Sequence, residues 1–257
     1  MQLHLQWVAL CTIVRKEVKR FTRIWVQTLI PPLVTMSLYF IVFGKLIGER
    51  IGEISGYSYM AFVVPGLIIM SVINNAYSNV VSSFFSAKLN RSVEEILVSP
   101  TPNHVILWGY VSGGAIRGLL VGALVTLLAL LFTRLPLHNI AVTFTVVFLS
   151  ALLFALAGFI NAIFANSFDD ISIVPNFIVT PLTYFGGVFY SVDLLPSFWQ
   201  NLSYFNPILY IVNAFRYGFL GISDVNVYAS LGGIITFLVL LYGFAWYLLV
   251  TAHKLRN

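Results

Sequence analysis

The chain has 257 residues, of which 59% are hydrophobic and 9% are charged, and its net charge is +5. A soluble domain carries about 25% charged residues, so this chain lacks the polar surface to dissolve in water, and a lipid bilayer is its expected solvent. Its basic residues are clustered, which in a membrane chain reports topology and gives no reason to expect a nucleic-acid partner. Cys11 is the single cysteine, which excludes an intrachain disulfide and a thiolate metal cluster.

The start does not have the order of a signal peptide, because the basic run Arg15, Lys16, Lys19, Arg20 and Arg23 follows an apolar-leaning stretch instead of preceding it. Trp7, Leu10, Val14, Val18, Phe21 and Trp25 recur every three or four residues, which predicts an amphipathic helix over 4–23 lying on the membrane surface. The alternative is a basic lead-in that only fixes orientation. Residues 24–44 carry no charge and form the first predicted span, with Pro31 and Pro32 placed to kink it. Lys45, Glu49, Arg50 and Glu53 then mark a polar loop. The remaining predicted spans are 59–83, 105–133, 139–165, 171–190 and 229–251.

Counting Lys and Arg orients the chain. With the N-terminus in the cytoplasm and six spans, the basic N-terminal run, Lys88, Arg91, Lys254 and Arg256 lie inside. Lys45, Arg50, Arg134 and Arg216 lie outside. This satisfies the positive-inside rule and puts both termini in the cytoplasm.

Two segments between spans exceed simple turns. The stretch "FFSAKLNRSVEEILVSPTPNH" predicts a short cytoplasmic helix over 90–98, capped by Asn90 or Ser92. Glu94 and Glu95 fall in its first turn, and Pro100 and Pro102 end it. The alternative is an ordinary loop; a capped helix bracketed by prolines favours a docking element. The second segment, 191–228, holds "YFNPILYIVNAFRYGFLG", with Asn206 at a helix cap, Pro207 at the first helical position and Gly218 or Gly221 at the end. Fourteen residues rise only about 21 Å, too short to cross, so 191–221 is expected to dip into the outer leaflet and return. Arg216 is expected at the outer interface of this ascending helix, against lipid phosphates or an acid such as Asp224, as a snorkelling anchor or with a role in gating.

The segments "SVEEILVSPTP" and "TYFGGVFYSVDLLPSFWQNLSYFNPILYIVNAFRYGFLG", with the six-span plan, resemble the permease subunits of type-2 ATP-binding-cassette exporters, among them bacterial permeases for polysaccharides, lipid-linked glycans and drugs. The resemblance covers nearly the whole chain and is most specific from Asn206 to Gly221. It implies an all-α polytopic fold in the bacterial inner membrane, with an N-terminal interface helix, a coupling helix and a re-entrant helical pair before the last span. It also implies a second permease copy and two copies of an ATPase subunit docked below. Arg91, Ser92, Glu94 and Glu95 are then the coupling-interface candidates, and Asn206, Pro207, Tyr210 and Arg216 mark the re-entrant motif.

No cofactor or nucleotide site is expected in this chain. The only Gly-Lys pair, Gly44-Lys45, is followed by Leu46 and lacks the glycine and hydroxyl of a phosphate loop, so an ATP-driven cycle would need a motor on another chain. His4, His104, His138 and His253 are scattered near span ends and do not suggest a metal site, and Asp169 and Asp170 read as solvated caps. Arg117, twelve residues into the third span, either snorkels inward or pairs inside a dimer. Gly109 and Gly113, and Gly114, Gly118 and Gly122, repeat every four residues and predict close helix packing. An ion-coupled secondary transporter is the alternative function, but it usually needs intramembrane carboxylates, and the cores of spans two, four, five and six have none. A membrane enzyme lacks support from any catalytic motif.

Overall fold

The computed structural model describes residues 3–251. Lys254 and Arg256, counted above at the inner end, and His253 lie outside the described residues.

The described residues are all-α apart from one two-stranded hairpin. Helix α1 is Leu3–Arg23, and a break at Ile24 (φ −112°) separates it from α2, Trp25–Tyr39. Helix α2 runs without interruption into a π-helical stretch, Phe40–Ile47, and then into α3, Gly48–Ile51. The first span therefore extends seven residues beyond the predicted end at residue 44, through Lys45, Glu49 and Arg50. Only Gly52, at φ +80°, stops it, because a left-handed residue cannot continue a helix. The predicted polar loop contracts to a hairpin of β1, Glu53–Ile54, and β2, Tyr57–Ser58, with Glu53 opposite Ser58.

Helix α4, Tyr59–Leu89, is the axis of the fold. Ser58 caps it, and it is buried along most of its length between α6, Asn103–Ala129, α7, Ile140–Phe164, and α11, Pro207–Leu220. Helix α5, Ser92–Val98, hangs from its end. Helix α6 stops at Ala129, four residues short of the predicted 133, where the chain folds into a turn with the Phe132 and Thr133 amides both donating to Ala129 O. Helix α12, Val227–Thr251, packs on α7 and α11 and turns much of its apolar surface outward.

Among the described residues, five helices are long and apolar enough to cross a membrane: Trp25–Ile51, Tyr59–Leu89, Asn103–Ala129, Ile140–Phe164 and Val227–Thr251. The predicted fifth span, 171–190, corresponds to a shorter continuous helix, which comprises α8, Phe168–Val174, a π stretch at Pro175–Val179, and α9, Thr180–Tyr184. Pro175 and Pro181 remove two N–H donors from it, and Gly187, at φ +73°, lies in the turn beyond its end. The reading of Asp170 as a cap holds: it forms a capping box with Ser167 at the start of α8. The Asn166 amide, followed by Ser167, holds its carboxyl below the usual carboxylate range.

The two glycine ladders face different helices. A Cβ at Gly109 would lie 2.6 Å from Ile13, and one at Gly113 would strike Glu17, so this pair seats α1 on α6. A Cβ at Gly114, Gly118 or Gly122 would meet Val80, Ala76 or Val72, so the second ladder seats α4 on α6. Both serve the close packing predicted from their spacing.

Candidate functional site

On the α5 side of the molecule, α1 does not simply lie on the surface. Of the predicted apolar stripe only Phe21 is buried, whereas Trp7 and Trp25 are exposed. The packed face is turned toward Ile13, Glu17 and Phe21, which are spaced by four residues. Glu17 is fully buried. Its Oε1 accepts a 2.6 Å hydrogen bond from Ser83 Oγ of α4, and its Oε2 faces the Arg20 guanidinium at 3.3 Å. Arg20 Nη2 also donates to Asn79 Oδ1 at 2.8 Å and to Asn79 O at 3.0 Å. A buried carboxylate requires such partners, because removing its charge from water is costly.

The same polar stripe continues along α4, since Asn75, Asn79 and Ser83 are four residues apart. Arg117 has partners within its own chain: its Nη2 donates to Asn75 Oδ1 at 3.2 Å and to Thr28 O at 3.4 Å. Pro32, four residues after Thr28, has no N–H to give that carbonyl, so Arg117 supplies the donor that the proline withholds.

The α5 candidates are presented outward. Arg91, Glu94 and Glu95 are exposed, and Val98 is 84% exposed, while Val93 anchors the helix in the core. The cap differs from the prediction. Arg91, left-handed at φ +59°, makes the junction, and neither Asn90 nor Ser92 caps the helix; Ser92 Oγ donates back to Ala87 O at 3.1 Å. Both glutamates lie in the first turn, as predicted. Beside them Lys88 Nζ donates to Ile163 O and Ala165 O, both at 2.8 Å, closing the end of α7.

At the opposite end, Asn206 caps α11 by accepting from the Ile208 amide at 2.9 Å, and its Nδ2 donates to Leu182 O at 2.6 Å. Pro207 is the first helical residue, and Gly221 closes the helix at φ +75°. Tyr210 Oη donates to Tyr204 O at 2.9 Å, pinning α11 to α10, Ser197–Tyr204. The expectation for Arg216 is overturned. It is 1% exposed, its Nη2 donates to Gly187 O at 2.6 Å and its Nε to Phe62 O at 3.3 Å. Its guanidinium lies 3.8 Å from the Phe62 ring centroid. No described acid pairs with it, and Asp224 instead accepts from the Val192 amide. The reason lies outside α11: Gly66 admits Val188 to within 3.0 Å of where a Cβ would stand, bringing the Gly187 turn over the guanidinium.

Asn206, Pro207, Tyr210 and Arg216 thus share one helix and its turn, whereas Arg91, Ser92, Glu94 and Glu95 form a separate patch at the other end of α4. Glu17, Asn79 and Ser83 have no counterpart among the residues expected from sequence, and Arg20 is expected there only as part of the basic run. The available signal was the position of Glu17, four residues from both Ile13 and Phe21. Among the described residues no cluster of His, Cys, Asp and Glu could hold a metal ion.

A sequence model of the ABC-2 type transporter family matches residues 8–220. The chain is 56% identical over 255 residues to the inner membrane transport permease YadH of Escherichia coli strain K12, covering 99% of this chain and 100% of that protein. It is 23% identical over 237 residues to nodulation protein J of Rhizobium leguminosarum bv. trifolii, covering 92% of this chain and 89% of that protein. With nodulation protein J of Neorhizobium galegae it shares 22% identity, again over 237 residues.

Proposed function

Because the chain belongs to the ABC-2 type transporter family, whose model covers residues 8–220, we propose that it is the permease subunit of an ATP-driven exporter in a bacterial inner membrane. Two copies enclose the path, and two copies of a separate ATPase dock on the cytoplasmic side. The observation that carries this reading is the family match together with full-length similarity to a transport permease.

The geometry supports a division of labour. Helix α5, with Glu94 and Glu95 outward, is the coupling helix, and α1 is the interface helix. The Glu17–Ser83 bond ties α1 to α4, from whose end α5 hangs, so a displacement of either helix reaches the same central span. Helices α8 and α9, with the π stretch between them, serve as the fifth of six crossings, and α10 and α11 as the re-entrant pair. The N-terminus is cytoplasmic, and so is the C-terminus.

The test is to co-express the tagged chain with a cassette ATPase from the same genome, to purify the chain by its tag and to measure hydrolysis. A stoichiometric complex whose ATPase rate changes with the permease present is expected. A chain that purifies alone and moves solute on an ion gradient would overturn the reading in favour of a secondary transporter.

A further inference from the structure

Helices α6 and α7 leave between them an open groove of about 800 Å³ on the side away from α5. Its walls are formed from Leu119 to Leu127 of α6 and from Ile140 to Leu149 of α7, and Phe215 and Phe219 of α11 lie at its base. None of its lining residues is charged. Its polar side chains are Thr126, Thr143 and Thr145, and the first two donate to carbonyls of their own helices, Thr126 to Gly122 O at 2.8 Å and Thr143 to Asn139 O at 2.9 Å. A ligand in this groove therefore meets hydrocarbon with almost no polar demand.

Two observations identify the occupant. The walls run about 12–14 Å along the helix axes at about 1.5 Å per residue, which matches one leaflet of a hydrocarbon core about 30 Å thick. The groove also begins at the loop 130–139 joining the two spans. That loop carries an exposed Arg134, three residues before the lining residue Leu137, and contains no acid. A cation at the polar end of a leaflet-deep apolar slot complements an anionic headgroup attached to an acyl chain.

We infer that this groove is a specific lipid site, holding one acyl chain of an anionic bilayer phospholipid in the leaflet remote from α5, with its headgroup at Arg134. The chain rests against the Phe215 and Phe219 face of α11. The Asn139 amide donates to Gly218 O at 2.8 Å and the His138 amide to Phe219 O at 3.1 Å, so the groove wall and α11 are already stitched together. Occupancy would therefore brace the helix that carries Arg216.

The experiment places the full-length chain in phosphatidylcholine nanodiscs containing a phosphatidylglycerol with a mid-chain diazirine and maps the adducts by peptide. Adducts are expected to concentrate on 119–127 and 140–149, above the outward faces of α2 and α12. Ala123→Trp, which fills the groove from an exposed lining position, should remove them, and Leu240→Trp on the outer face of α12 should not. Arg134→Gln should lower the preference for phosphatidylglycerol over an equivalent phosphatidylcholine probe by about fivefold, the equivalent of about 1 kcal/mol for one basic residue at an anionic surface. Adducts spread evenly over all outward faces, or groove adducts unchanged by Ala123→Trp, would reduce the site to ordinary boundary lipid. Cross-links from a cysteine at position 123 to a second copy of the chain would assign the groove to a dimer interface and likewise overturn the inference. Should Ala123→Trp fail to fold, the wild-type adduct map and the Arg134→Gln preference still decide the matter.

Discussion

Ser83 Oγ reaches Glu17 Oε1 at 2.6 Å in the interior of the protein, fastening α1 to the central helix α4. Glu17 is the one acid in an otherwise basic helix. Glu17→Ala leaves Ser83 without its acceptor and Arg20 with only Asn79. The variant should lose about 1–3 kcal/mol, the usual penalty for a stranded buried hydrogen-bonding group. Glu17→Gln keeps an acceptor for Ser83 and gives up only the charge facing Arg20, which is 31% exposed and partly hydrated. Denaturant titration in detergent should therefore rank wild type above Gln and Gln above Ala. Equal loss in both variants would mean that the charge, and not the hydrogen bond, does the fastening.

Helix packing provides a sharper contrast. A Cβ at Gly158 would lie 2.5 Å from Tyr77 O, a backbone atom of α4 that cannot swing aside. Gly158→Ala should destabilise by about 1–3 kcal/mol, as overpacking does. At Gly243, inside α12, nothing lies within 4 Å, so Gly243→Ala should not destabilise and should gain up to about 1 kcal/mol from helix propensity. Thermal inactivation of both variants in the same detergent tests the difference.

How much of this was legible in the sequence depends on how local the cause is. The start of α11 could be read because Asn206 and Pro207 carry the cap and the first turn in two adjacent residues. The glycine ladders could be read as close packing from their spacing, but not assigned to partners, since Ile13, Val72, Ala76 and Val80 come from distant helices. The extension of the first span through Lys45 and Glu49 is not legible, because charges at a membrane boundary do not end a helix, which stops only at Gly52 with its positive φ. Glu17 was hidden by its neighbours: one acid among lysines and arginines looks like polar face until Gly113 and Ser83 are brought against it. Arg216 failed for the same reason, since its partners are 154 and 29 residues away.

For coupling, Glu94 and Glu95 are both exposed at the start of α5, and neither bears on the core. Replacing both with Lys should leave insertion and thermal stability within about 0.5 kcal/mol, as surface substitutions do. It should weaken assembly with the ATPase or uncouple hydrolysis from transport. Co-purification yield against membrane yield separates the two effects. A double mutant that assembles and couples like wild type rules out these charges as docking contacts.

Orientation is tested with thiols. Cys11 is exposed and must first be replaced, as Cys11→Ser. In that background, Ser197→Cys, at an exposed position at the start of α10, should react with an impermeant maleimide in intact spheroplasts. Ser92→Cys should react only after the inner face is opened. The reverse pattern would invert the topology and move the ATPase surface away from α5.

Arg216 permits the most discriminating substitution. Its guanidinium holds the carbonyls of Phe62 on α4 and Gly187 in the turn after α9, and its plane lies over the Phe62 ring. Three segments therefore converge on one planar group. Lysine supplies the charge at a single point and cannot span both carbonyls while stacking on the ring. It would also leave a buried ammonium that no carboxylate contacts directly, since Asp224 acts on this site only at a distance, and such a charge is strongly destabilising. Arg216→Met fills a similar volume without charge; Phe62 O lies inside α4, where the Gly66 amide still serves it, so chiefly Gly187 O loses its donor, a loss of about 1–3 kcal/mol at most. The expected order of stability is wild type, then Met, then Lys, with ATPase coupling impaired in both variants because the Gly187 turn is no longer held to α11. Phe62→Leu should cost about 0.5–2 kcal/mol through loss of the cation–π face alone. Unfolding midpoints and coupled ATPase rates for the three variants test this order. A Lys variant as stable and as coupled as wild type would return Arg216 to the role of a headgroup anchor, since a point charge satisfies a phosphate but not this pair of carbonyls.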